Sequence, residues 1–208
     1  MKNRIFLSAT WEWLAMFNYE VDEVILKPHL PPHTAIDSFE GKVIVSVVGF
    51  LFNNTRVLGI PWPGFTHFEE VNLRYYIKHF DGKEWKRGVG FISEIVPNPV
   101  VSFLANTFYN EHYSTAQMRH SLIEKPEEVQ VSYEWKKKGQ EWNSMSVAAK
   151  AIAEDIPTGS EAEFIFEHYF GYNRLTSNTA IEYAVMHPRW QVHAVTASKL
   201  DCDVELLY

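Results

Sequence analysis

Glu70, Asn72 and Arg74 stand on alternate positions of the run Glu70-Val71-Asn72-Leu73-Arg74-Tyr75-Tyr76-Ile77. A carboxylate, an amide and a guanidinium spaced by two share one face of a β-strand, with Tyr76 beyond them, while Val71, Leu73, Tyr75 and Ile77 take the other. Same-face neighbours sit about 7 Å apart, so the Glu70 and Arg74 backbones are about 13 Å apart and the charges do not fully cancel. Arg74 offers a bidentate fork to a negative group, Asn72 an orienting amide, and Glu70 a hydrogen-bond acceptor or general base. An apolar enclosure would raise the Glu70 pKa into a range useful for proton transfer. Two plainer readings compete: a solvated polar sheet face, and structural hydrogen bonds among these groups, or from Arg74 to Glu94.

The flanks indicate what must hold this row. Asp81-Gly82 suits a two-residue hairpin turn, which predicts Arg74 opposite Val89, Asn72 opposite Phe91 and Glu70 opposite Ser93. A slip of one residue would set the row against Gly88, Gly90 and Ile92. Gly59-Ile60-Pro61-Trp62-Pro63-Gly64 precedes the hairpin as a loop in which prolines restrict the chain and glycines permit close approach. Lys42 to Phe52 is apolar on both faces and predicts a central strand. Thr10 to Asn18 reads as a short buried helix or an extended lead-in, and Asp22 as the N-cap of a second short helix that ends at Leu30-Pro31-Pro32.

Pro97 to Asn110 carries Val100, Val101, Leu104, Ala105 and Phe108 at helical spacing, with Pro99 in the first turn. Strands are predicted over Thr115 to Glu124, Val129 to Lys137 and Trp142 to Ala153, the last two joined around Lys138-Gly139. Ser160 to Tyr169 reads as a helix with Ser160 and Glu163 in capping-box positions, before final strands Ala180 to His187 and Trp190 to Leu200. The sum is a mainly β, α+β chain: one domain over residues 1–208, with curved antiparallel sheets forming a barrel or cone and a few short helices between them. Such a shape has an interior fit for a small ligand.

Composition narrows the partners. With 208 residues and a net charge of −7, the chain can bury a full core but lacks the basic face that nucleic acid or an anionic membrane selects. Its single cysteine, Cys202, fits a reducing compartment, no secretory address is evident near the start, and no stretch approaches a membrane span. A cytoplasmic location is expected; nothing in the pattern sets the oligomeric state. The nine histidines form no HExxH motif, and Pro31-Pro32 forbids the helix that would align His29 with His33, so no metal is expected. Dinucleotide and phosphate-loop fingerprints are missing, so neither is a cofactor. Neighbouring His112, Tyr113 and Ser114 point alternately and do not form a nucleophile–base pair. Lys150 and Lys199, in largely apolar strands, are either amine nucleophiles or snorkelling side chains. Lys136-Lys137-Lys138 is a solvated hairpin tip.

Several strings in chain order resemble the YqjF-like family, domain of unknown function 2071: Tyr19-Glu20-Val21, Gly59-Ile60-Pro61, Phe68 to Arg74 with Tyr76, Gly88 to Ser93, Tyr113 with Ala116 and Met118, and His187-Pro188 with Trp190. That resemblance implies a fold similar to acetoacetate decarboxylase, with Glu70 the counterpart of a glutamate in that enzyme family. The adjacent lysines that define the enzyme have no equivalent here, because the corresponding segment reads Asn110-Glu111-His112-Tyr113. Fold analogy therefore cannot supply the reaction.

The expectation is a protein that holds a small polar or carboxylate-bearing organic molecule. Arg74 anchors its charge, Asn72 orients it, Glu70 accepts a hydrogen bond or acts as base, and Tyr113, Met118 and Trp62 close the cavity. The alternatives are a lysine-independent lyase or isomerase with Glu70 as general base, and a non-catalytic scaffold or interaction protein with a packed interior.

Overall fold

Residue 7 opens β1, Leu7–Glu20, so the first apolar stretch is extended and not helical. Its ladder shifts register between Ser8 and Thr10 and again between Glu12 and Ala15, and Trp13 takes a φ of 57° at the second shift. Bulges send neighbouring side chains to both faces, which gave the segment its helix-like spacing. Asp22 then caps a 3-10 turn at Glu23–Ile25, its Oδ1 accepting from the Val24 amide at 2.9 Å. A second turn, Lys27–His29, ends before the two prolines.

The computed structural model describes residues 7–62 and 64–203, without the side chains of residues 108 and 109; the first six residues, Pro63 of the Gly/Pro loop and the Phe108 side chain lie outside that description. After β1 come β2 (Thr34–Ile36), β3 (Ile44–Val57), β4 (Phe68–Phe80) and β5 (Trp85–Val96). Helix α1 (Pro99–Tyr109) starts on its proline, capped by Asn98, whose Oδ1 accepts from the Val100 amide. Next are β6 (Tyr113–Thr115), β7 (Gln117–Glu124), β8 (Glu128–Lys136) and β9 (Asn143–Asp155). Helix α2 (Glu161–Phe166) is capped by Ser160, and β10 (Phe170–Arg174), β11 (Ala180–Ala184) and β12 (Gln191–Asp201) finish the described chain. The α2 helix stops three residues earlier than its sequence suggested, because the chain re-enters the sheet as β10, too short to show an alternation of its own.

One sheet of eight strands runs β1-β3-β4-β5-β10-β11, with β2 beside β4 and β6 beside β5; a second runs β12-β9-β8-β7. Pairing is antiparallel except where β6 and β10 join β5. The expected curved sheets are present, with bulges in the β1–β3, β4–β5 and β9–β12 ladders. Among the described residues both ladders end in edge strands, so the cone is open and not a closed hydrogen-bonded barrel.

Odd-numbered positions of β3 and β4 build the core between the sheets. Val45, Val47, Leu51, Val71, Leu73, Tyr75 and Ile77 meet Tyr133, Trp135 and Met145 of the smaller sheet. The opposite face of the large sheet is covered in two patches. Phe164 and Ile165 of α2 pack on Ile44, Tyr76 and Val89. Val48, Phe50, Phe52, Phe68 and Val96 form the other, with Trp11 and with Val101 of α1 packed against it. Between them, on the same face, stand Ser46, Glu70, Asn72, Arg74 and Glu94.

The hairpin register departs from the two-residue turn. Residues 81–84 form a four-residue turn in which Asp81 Oδ1 accepts from the amides of Lys83 at 2.9 Å and Glu84 at 3.0 Å. Arg74 therefore faces Phe91, not Val89. A further shift at Ile92 sets Asn72 opposite Glu94, not Phe91, and gives Ser93 to Leu73, not to Glu70. The consequence is a second carboxylate beside the row.

Gly49, in the middle of β3, lets the two sheets approach. A Cβ there would lie 2.7 Å from both Met145 Sδ and Tyr133 Cδ2. Tyr133 cannot retreat easily, since its hydroxyl donates to the Trp13 carbonyl at 2.7 Å. Gly49→Ala is expected to cost about 1–3 kcal/mol as an overpacked core, measured by urea unfolding; an unchanged midpoint would show that the sheets separate freely.

Candidate functional site

The polar row is buried, not solvated. Glu70 and Asn72 are each 2% exposed, Glu94 is 2% exposed, and Arg74 is half-buried at the end nearer α2. Asn72 Nδ2 donates to Glu70 Oε1 at 2.9 Å, and the Tyr113 hydroxyl donates to Glu70 Oε2 at 2.8 Å. Both Glu70 oxygens are thus occupied by neutral donors, and Arg74 forms no ion pair with it.

Tyr113 is fixed from α1. Asn106 accepts from the Tyr113 amide at 2.8 Å and donates to its carbonyl at 2.9 Å, a two-way clamp on β6. Asn110 ends the helix with φ of 52° and turns the chain back toward the sheet. The His112 carbonyl then accepts from the Glu94 amide at 3.2 Å, which registers the segment against β5. Glu111 arrives by this route, and the Tyr183 hydroxyl donates to its Oε1 at 2.7 Å from β11. Tyr183 reaches inward because its ladder partner is Gly171, where a Cβ would overlap the tyrosine ring.

Three carboxylates, two phenols, an amide and a guanidinium are therefore gathered on one face. Burial, partly offset by the bonds from Asn72 and Tyr113, pushes the Glu70 carboxyl up to about 7. Burial also raises Glu94 well above the usual carboxylate range, and the charges of Glu111 and Glu70 and a hydrogen bond with Glu111 act the same way. The Tyr113 and Tyr183 phenols are raised by burial and by the same carboxylates. Asn72 Oδ1 and Arg74 Nε are buried here without a protein partner, and Glu94 Oε2 and Glu111 Oε2 have none unless a proton lies between the two carboxyls.

Beyond Arg74 the face carries a different kind of polar group. The Arg74 guanidinium lies 5.7 Å from the centre of the Tyr76 ring, and that ring is 4.9 Å from His168. Asp37 Oδ2 accepts from Arg87 Nε at 2.7 Å and lies 3.3 Å from His168 Nε2, a contact without hydrogen-bond alignment; Lys78 Nζ is 3.4 Å from Oδ1. Burial pushes the Asp37 carboxyl up, but His168 and Arg87 more than reverse this and hold it well below the usual range. His168, buried against Tyr76 and Phe164, is lowered by burial.

Of the residues expected from sequence, Glu70, Asn72, Arg74 and Tyr113 come together. Met118 does not join them, because it packs into the core between the sheets opposite Trp135. Trp62 is 51% exposed on the loop between β3 and β4. Lys150 and Lys199 are exposed on the smaller sheet and reach no part of the row. Sequence reasoning passed over Glu111 and Tyr183 and treated Glu94 only as an arginine partner. The one signal for Glu111 was its place in the segment matched to the decarboxylase lysines. Two cavities, of about 410 Å³ and 200 Å³, lie elsewhere, over the outer face of the smaller sheet and beside His33, His79 and Tyr172. The row itself is enclosed, with half-buried Arg74 and Tyr113 at its margin.

Comparison with known proteins identifies the family and the fold. The model of the domain of unknown function 2071 family, described as an uncharacterized conserved protein, matches residues 8–208, and the chain belongs to that family. The uncharacterized protein YqjF of Bacillus subtilis (strain 168) is 28% identical over 114 residues, covering 54% of this chain and 46% of that one, so the alignment spans about half of each. Among solved structures, acetoacetate decarboxylase from Legionella pneumophila superposes with a TM-score of 0.52 at 13% identity, over 95% of this chain and 86% of the enzyme. The enduracididine biosynthesis enzyme MppR, complexed with pyruvate, gives 0.57 at 10% identity over 96% and 91%. At these identities the likeness establishes the acetoacetate decarboxylase-like fold and nothing about the reaction.

The raised carboxyls make stability fall as pH rises. In the unfolded chain they ionise near 4.5, whereas in the folded chain Glu70 keeps its proton up to about 7 and Glu94 keeps its proton well above the usual carboxylate range. The folded state binds more protons over that window, so each pH unit costs up to about 1.4 kcal/mol per group. Asp37 and His168 act in the opposite sense, losing stability as pH falls below 3.8 and 6.5 respectively. Glu94→Gln removes one rising term alone. Its melting temperature relative to wild type should climb steadily from pH 5 to 8 in thermal scans; a constant difference would mean that Glu94 ionises normally.

Proposed function

We propose that, within this family and on this fold, the chain binds a small polar organic molecule along the Glu70–Asn72–Arg74 row. Arg74 anchors an acceptor or anionic group at the half-buried margin, Asn72 orients the ligand, and Glu70 accepts a hydrogen bond or a proton. The observation that carries this reading is the set of unpartnered polar atoms on Asn72, Arg74, Glu94 and Glu111. Each such atom costs about 1–3 kcal/mol when left unmade, so a purely packed interior is a poor account of them. The pyruvate complex of MppR supports the reading to the extent that a chain of the same fold accepts a small organic acid.

A second reading, acid–base catalysis without lysine, is favoured by one specific feature. A carboxyl raised to about 7 is poised to take and return protons at neutral pH. Glu70 would be the base, with Tyr113 holding it in place through the 2.8 Å hydrogen bond. No amine is positioned to form a Schiff base among the described residues of this cluster.

Thermal-shift screening against keto acids, hydroxy acids and sugars is expected to raise the melting temperature for at least one class. Arg74→Ala should abolish that shift while leaving a cooperative transition, and Glu70→Gln should retain the shift but lose any turnover. A shift that survives Arg74→Ala rules out the anchor role.

A further inference from the structure

The unpartnered atoms of the row are not balanced between donors and acceptors. Asn72 Oδ1, Glu94 Oε2 and Glu111 Oε2 accept; only Arg74 Nε donates. The neighbouring donors are already used. Asn72 Nδ2 and the Tyr113 hydroxyl are taken by Glu70, and the Tyr183 hydroxyl is taken by Glu111. Asn72 is 2% exposed and its amide is held against Glu70, so its free oxygen is committed to the interior of the cluster, beside its ladder partner Glu94. Apart from the acid proton that burial keeps on Glu94, this end of the row is short of donors for its unpartnered acceptors.

Charge points the same way. Glu70, Glu94 and Glu111 face one arginine, and no described lysine or arginine forms an ion pair with any of them. A ligand carboxylate placed among them would bring a charge and further acceptors to a desolvated end of the row that already has more unpartnered acceptors than donors. A primary ammonium supplies one positive charge and three N–H donors, one for each unpartnered acceptor. A divalent ion fits less well, because no group of three His, Cys, Asp or Glu side chains among the described residues is arranged to hold a metal.

We infer that the Asn72–Glu94–Glu111 end of the row is a subsite for a primary ammonium, and that the ligand is a small aminated molecule whose other polar end meets Arg74. This deepens the proposed function and rests on the same row being a ligand site. Without an amine, the Glu94 carboxyl keeps its proton in a hydrogen bond with Glu111. When R–NH3⁺ enters, that proton leaves to solvent and the ammonium takes its place. One cation is gained, one proton is released, and no covalent bond other than the O–H is broken.

Three probes of one size separate the cases: propylammonium chloride, sodium propionate and 3-aminopropionate, each compared at equal ionic strength near pH 7.5. Propylammonium and 3-aminopropionate are expected to raise the melting temperature, by about 4 °C at tenfold excess over Kd, and propionate is not. Calorimetry in two buffers of different ionisation enthalpy should show about one proton released per amine bound. Glu111→Gln should weaken propylammonium binding at least tenfold. Stabilisation by propionate, or by keto acids and sugars, without stabilisation by the amines overturns the ammonium subsite and leaves the broader site standing. Failure of every compound in both panels removes both. If Glu111→Gln does not fold, proton release by the wild-type chain decides: amine binding without it overturns the inference.

Discussion

Desolvation of carboxylates on a sheet covered on both faces is the constraint on which the rest of this structure depends. Odd positions of β4 go into the core between the sheets, and even positions go under α1, α2 and β1. An antiparallel sheet usually keeps one face for water, and this one does not. Polar residues placed on it must find partners inside the protein or bind something brought to them. Glu70 and Glu94 are nearly inaccessible and form no ion pair among the described residues, so their environment favours the protonated acid. Folded domains are stable by only about 5–15 kcal/mol, and a few unmade polar contacts consume much of that margin. A cluster of this kind costs stability, which is why it is the candidate site proposed above.

Local devices assemble it, and each has a plain physical cause. The Asp81 side chain caps two successive amides, which sets a four-residue turn, and the bulge at Ile92 advances the ladder once more; together they bring Glu94 beside Asn72. A left-handed Asn110 and the Asn106 clamp return the chain from α1 so that Tyr113 meets Glu70 and Glu111 follows. Gly171 leaves room for the Tyr183 ring. Each of them sets which groups stand along the row.

These devices also explain what the sequence disclosed. Alternation along Glu70 to Ile77 revealed the strand, the facing of its residues and the polar row, because strand period is fixed by backbone geometry. The central strand β3 and the capped helix α1 were legible for similar reasons, one from two-sided apolarity and the other from Asn98-Pro99 followed by helical spacing. Register was not legible, since Asp81-Gly82 serves a two-residue or a four-residue turn equally well until the reach of the Asp81 side chain is known. Glu111 was hidden because nothing local tells that Asn110 takes a left-handed conformation. Met118 was misassigned on a strand whose inward face serves the other side of the large sheet, a matter of tertiary placement that no periodicity contains.

The strongest internal control for a functional site lies farther along the same face. Asp37 is also buried, and the chain gives it Arg87 at 2.7 Å, Lys78 at 3.4 Å and His168 at 3.3 Å, enough to keep it ionised well below its ordinary range. The Asp37 charge is thus compensated by nearby cations, which tie together the segment before β3 and the hairpin, with His168 after α2 close by. Some residues along the row, among the described residues, three carboxylates stand with phenols and an amide and form no ion pair, and the Arg74 guanidinium lies by the Tyr76 ring with its Nε unpartnered. The contrast cannot come from a shortage of basic residues on this face, since Arg87 and Lys78 both converge on Asp37. It follows from where the cations are placed: the half of the face toward α2 is neutralised by the fold, and the half toward α1 is not, which is the asymmetry the proposed ligand site rests on.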